Sequence, residues 1–150
     1  MIKKILLILL ASFVVMQFFR IDMTNPEVDA SKDFIAVTQA SDEVVDILKT
    51  ACYDCHTHET VYPWYANVAP ISWWLKGHVD EGKEHLNFSE WADYSVKKAD
   101  HKLEECVESI NEGWMPIGNY TLTHSDAILE DDQRTVLIDF FESLRTYEEE

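Results

Sequence analysis

Two cysteines three residues apart, with a histidine directly after the second, carry the most chemistry in this chain: Cys52-Tyr53-Asp54-Cys55-His56. On a helical turn residues three apart face the same way. Both thiols therefore reach one edge of a flat ligand, and the next residue swings beneath it. Thiols so placed can add to the two vinyl groups of a porphyrin, and the His56 imidazole then offers a ring nitrogen to its iron. The pattern is the attachment signal for c-type haem. Three other chemistries use paired cysteines. A thioredoxin-like redox pair expects a βαβ setting, and the sequence has no such pattern. Zinc needs four ligands; Cys52, Cys55 and His58 supply three, and no second Cys pair or spaced His pair follows. A disulfide between cysteines this close is strained. The helix expected before the motif, an apparent export segment and the adjacent His56 together favour one covalent haem c.

A six-coordinate iron needs a second axial ligand, usually Met or His. Past residue 21 the only methionines are Met23 and Met115. Met115, in Gly113-Trp114-Met115-Pro116, lies between the last two expected helices and is the favoured distal ligand, against core packing beside Trp114. His78, one turn after Trp74 on an expected helix, is the alternative. His85, His101 and His124 are assigned to solvated faces or turns, and His58 to solvent. The second nitrogen of His56 needs an acceptor, expected from the loop at residues 63–70. Trp64, Trp73, Trp74, Trp91 and Trp114 are expected in the core, where they would also keep water from a porphyrin. Tyr120 either packs or bonds a propionate. Cys106, in the middle of a helix, reads as a small buried hydrophobe, with an interchain disulfide as the alternative.

The elements that must position these groups are helical. Ser41, followed by Asp42 and Glu43, caps a helix whose apolar face is Val44, Val45, Leu48 and Ala51, and which runs into Cys52. Pro63 and Pro70 bracket a loop. Ile71 to His85 is expected as a helix with Pro70 at its start, Ser89 as a cap, and Val96 to Glu112 as a longer helix stopped by Gly113. Residues 114–129 read as loop. Val136, Leu137, Phe140, Phe141 and Leu144 mark a last amphipathic helix, frayed at Glu148 to Glu150. Four glycines and four prolines leave little room for the turns of an all-β fold.

In a chain of 150 residues with 47% apolar content, the expectation is one folded domain. Its net charge of −16 argues against nucleic acid. Ile5 to Phe19 is almost wholly apolar, after Lys3 and Lys4, with no small-residue cleavage pattern at its end. The segment is expected to be an uncleaved anchor, residues 1–21, followed by a tether at 22–40 and the domain at 41–147. Phe34 to Val37 could rest on that domain. The basic flank keeps the N-terminus inside. The expected location is the cell inner membrane, single-pass, with the domain on the periplasmic or other extracytoplasmic side. That exported part holds nine bases against 28 acids, a charge of −19, which would steer redox partner proteins basic at their docking face.

The chain resembles the haem-binding-domain family of small membrane-anchored monohaem c-type cytochromes. The resemblance rests on Ala51 to His56, Glu59-Thr60, Tyr62-Pro63-Trp64-Tyr65-Ala66, Pro70, Ser72-Trp73, His78, Leu86 to Trp91, and Met115-Pro116 with Tyr120. It covers about residues 40–145. It implies covalent haem at Cys52 and Cys55 and His56 as proximal ligand, and does not choose between Met115 and His78 as distal ligand. The expected fold is all-α, a small class I cytochrome c-like domain around the haem. The expected function is a periplasmic electron carrier, not an enzyme. A haem-based sensor or ligand-binding module is the alternative. A peroxidase is disfavoured because related bacterial enzymes need a second haem motif.

Overall fold

Helix-forming sequence dominates, and every element among the described residues, 1–146 of this computed structural model, is helical. In order these are α1 (Ile2–Met16), α2 (Phe34–Thr38), α3 (Asp42–Ala51), α4 (Tyr53–His56), α5 (Ile71–His85), α6 (Val96–Asn111), α7 (Gly118–Thr121) and α8 (Asp131–Leu144). Short 3-10 turns lie at Ala30–Lys32, Trp64–Asn67, Phe88–Asp93 and Ser125–Ala127. The expected fraying at Glu148 to Glu150, and residue 147, lie outside the described residues.

Polar side chains set the helix starts. Ser41 Oγ accepts from the Val44 amide ahead of α3, and Ser95 Oγ from the Lys98 amide ahead of α6. Glu130 and Gln133 form a reciprocal capping box at α8. Gly113 takes φ +70° just past α6, a backbone region that side chains disfavour, and the Trp114 amide turns back to Ser109 O at 2.9 Å. The stretch expected as loop after Trp114 contains α7 and a 3-10 turn. The cap expected at Ser89 is supplied two residues earlier, where Asn87 Oδ1 accepts from the Ser89 amide. Helix α6 packs along α8, α3 packs on α8 and α4, and α4 packs on α5.

The core centres on a residue from the segment expected as a tether. Phe34 is fully buried. Its ring lies 4.9 Å from Phe88, 4.7 Å from Trp91 and 5.9 Å from Phe141, centroid to centroid. Asp33 caps α2 through the Ile35 amide and also accepts the Tyr53 hydroxyl at 2.8 Å. Residues 30–38 are thus structural parts of the domain, because one Phe docks where α3, α8 and the 88–93 turn meet. Of the five tryptophans only Trp91 is buried; Trp64, Trp73, Trp74 and Trp114 are exposed, which corrects their placement in the core.

The helix expected over residues 1–21 is shorter in the structure. Helix α1 is 15 residues long and buries no residue; at ~1.5 Å per residue it spans about 22 Å. No helix among the described residues is long and apolar enough to cross a membrane. The helix stops because the chain after Met16 is held by the domain. The Gln17 amide donates to Ala69 O and accepts from Ala69 N, both at 3.0 Å. Ile21 and Met23 pack against a second small core of Ala66, Leu75 and Val79.

Candidate haem site

Helix α3 delivers the cysteine motif. The Cys52 amide closes α3 on Leu48 O at 2.9 Å, and the His56 amide returns to Cys52 O at 3.0 Å. Cys52, Cys55 and His56 therefore sit on one helical turn, and all three line a single cavity. Its volume is about 640 Å³, and α5, α6, the 114–117 segment and Tyr120 form its other walls. Small-molecule and cofactor pockets run from about 300 to 1,000 Å³.

His56 is held in one orientation. Its Nδ1 lies 3.0 Å from Gly82 O and 3.1 Å from Leu86 O, at the C-terminal end of α5. Two acceptors at that nitrogen require it to carry the proton, so Nε2 keeps its lone pair for a metal. Burial lowers the His56 pKa from its ordinary value, against the two carbonyls that raise it. The acceptor expected at residues 63–70 is therefore supplied elsewhere: α5, starting after Pro70, brings its far end back over α4. Gly82 makes that approach possible, since a Cβ there would lie 2.8 Å from Cys55 O. A glycine inside a helix costs about 1 kcal/mol relative to alanine; α5 contains two, Gly77 and Gly82, and only Gly82 meets another backbone, so the oddity marks the helix and not the contact.

Gly82→Ala is expected to destabilise the protein. Overpacking against a backbone oxygen costs ~1–3 kcal/mol, and the regained helix propensity offsets only about 1 kcal/mol of that. Thermal unfolding followed by circular dichroism should show a midpoint lower by several degrees; an unchanged or raised midpoint would show that α5 does not rest on Cys55 through this contact.

Both candidate distal ligands reach the cavity. Met115 comes from the turn after α6, where its amide bonds Ser109 O at 3.2 Å. His78 comes from α5, with Nδ1 3.0 Å from Trp74 O and its ring 4.2 Å from Trp74. His85, expected on a solvated face, is exposed and also borders the cavity. Tyr120 lines it too, but its hydroxyl donates to Asp54 Oδ2 at 2.9 Å, tying the Met115 segment to the cysteine motif. Burial, with the Asp54 carboxylate beside it, pushes the Tyr120 pKa up. His58 does not point to solvent: its Nε2 lies 2.8 Å from Asn87 Nδ2 and 3.4 Å from Glu90 Oε1. Cys106 is partly buried on α6 and is a third thiol lining the same cavity.

The zinc alternative finds no ligand cluster here. All three cysteines are free thiols. Burial pushes the Cys52 thiol up to about 12 and the Cys55 thiol up to about 11. No group of three His, Cys, Asp or Glu side chains is placed to hold a metal ion among the described residues. The donor set does fit haem: a fixed imidazole, two thiols on its own turn, and facing Met and His side chains.

The family model for the haem-binding domain matches residues 11–143. The chain belongs to the haem-binding domain family. No curated protein and no solved structure matches it. Membership makes this chain a haem-binding protein with an all-helical haem-binding domain, and the 640 Å³ cavity beside His56 is where that domain has room for the cofactor.

Proposed function

We propose that this haem-binding domain is a monohaem c-type cytochrome that carries electrons outside the cytoplasm while anchored by α1. The observation that supports this most directly is the shared wall of Cys52, Cys55 and His56, with His56 Nδ1 fixed by two carbonyls. Haem, when bound, supplies a one-electron ferric/ferrous couple. Cys52 and Cys55 would hold the group covalently, each as a thioether formed by adding its S–H across a vinyl group. His56 Nε2 would bind its iron, with Gly82 O and Leu86 O holding the ring. The Met115 sulfur would be the second protein ligand. Phe88, Ile110 and Phe141 give the cavity apolar walls.

With His56 and Met115 both bound, the iron would offer no position to an external ligand, which favours a carrier over a sensor or an enzyme. The ferrous protein is expected to give the same absorption spectrum with and without carbon monoxide. A Soret band shifted by carbon monoxide would favour the ligand-binding module.

The proposed location rests on α1. Its apolar side chains are exposed on every face, Lys3 and Lys4 lie at its start, and all 28 acids lie beyond it. The −19 charge of residues 22–150 steers partners with basic docking faces. Electron exchange with a basic partner should slow as salt rises, because the field is screened within about 8 Å at physiological ionic strength. Rates independent of salt would contradict an electrostatic role for the acids.

A further inference from the structure

Sixteen consecutive residues, Thr60 to Leu75, contain no charged side chain, in a chain where 27% of residues are charged. This stretch presents Trp64, Ile71, Trp73 and Trp74 to the surface, and Phe18 and Phe19 are exposed at the end of α1. The haem site does not account for these tryptophans, since neither Trp64, Trp73 nor Trp74 lines the cavity.

The stretch is locked to α1. The reciprocal Gln17–Ala69 pair joins them, Trp73 Nε1 donates to Phe19 O at 2.8 Å, and Arg20 Nη1 donates to Asn67 Oδ1 at 3.3 Å. Wherever α1 leaves the bilayer, this surface is beside it.

We propose that the shoulder formed by Phe18, Phe19, Trp64, Ile71, Trp73 and Trp74 sits in the headgroup boundary of the bilayer, so that the domain rests on the membrane in one orientation. The proposal depends on the reading of α1 as a membrane anchor. Three arguments carry it. At about 22 Å, α1 falls short of a ~30 Å hydrocarbon core by about 8 Å; interfacial apolar groups sink about 5–10 Å into the boundary, so drawing the shoulder in relieves the mismatch. Indole rings, with an apolar body and a polar N–H, favour that depth. The exported part is strongly acidic, whereas the shoulder carries no acidic side chain, and the one charge tied into it is the cation Arg20, which suits a headgroup phosphate. Trp74 also packs against His78, 4.2 Å between ring centroids, so the shoulder reaches the cavity wall within one helical turn.

Hydroxyl-radical footprinting of the full-length haem-loaded protein in phosphatidylcholine nanodiscs, one copy per disc, tests this. Trp64 and Val96, the latter at the start of α6, are both strongly exposed in the protein itself, at 79% and 69%. With each rate normalised to that residue in the denatured chain, Trp64 should be modified about fivefold more slowly than Val96 if it is buried at the headgroup level. Equal normalised rates in discs that retain the protein would overturn the shoulder and leave the anchor standing. Protection that appears only with two copies per disc would assign the surface to a second copy and overturn the proposal. Protein that elutes free of the discs would remove the anchor, and the shoulder with it.

Discussion

Met115→Ala is expected to abolish the weak far-red charge-transfer band of the ferric protein, lower the reduction potential and open the ferrous iron to carbon monoxide. A thioether is a soft neutral ligand that favours ferrous iron, so its loss favours the ferric state. His78→Ala should leave the band, the potential and the carbon monoxide response almost as they are. The comparison is sharp because both side chains line the cavity. They differ in their supports. Met115 lies on a turn whose neighbouring segment is tied to the cysteine motif through Tyr120 and Asp54, whereas His78 is fixed within α5 against Trp74. The reverse pattern in the two variants would make His78 the distal ligand.

The second large effect concerns the thiols. The double variant Cys52→Ala/Cys55→Ala should lose all haem staining on a denaturing gel, because nothing covalent then holds the cofactor. Each single variant should keep one thioether and retain stain, with a red-shifted pyridine haemochrome from the vinyl group left unsaturated. Cys106→Ala should stain like the parent. Cys106 lines the same cavity, but it comes from α6 and lacks the one-turn spacing that puts two thiols on one porphyrin edge. Stain surviving in the double variant would mean that attachment runs through other residues.

What the sequence allowed to be read, and what it hid, divides along the range of the interactions. Ser41 with its acidic neighbours, Ile71 to His85, and Gly113 after α6 are local signals, and their helices and turns are where those signals place them. The five-residue motif is equally local, and its groups share one turn. The His56 acceptors lie 26 and 30 residues further along the chain, and no spacing rule links them; α5 holds two glycines, Gly77 and Gly82, and only the fold tells which one meets another backbone. Phe34 stands in a five-residue helix too short for any periodicity, yet it occupies the centre of the core. Apolar composition did not say which tryptophans meet water, because exposure depends on the packing of α5 and the 64–67 turn rather than on residue type. His58 showed no pattern at all, since Asn87 and Glu90 come from a turn brought in by α5. The end of α1 was masked by Ile21, whose apolar side chain faces the domain and not lipid.

The central claim is that this chain holds one haem through covalent bonds at Cys52 and Cys55. The most direct measurement is the intact mass of the native protein, purified from membranes and sprayed under denaturing conditions. The expected result is a single species at the mass of the polypeptide plus one haem, with no free haem released. A polypeptide mass without haem, accompanied by free haem in the same spectrum, would contradict it.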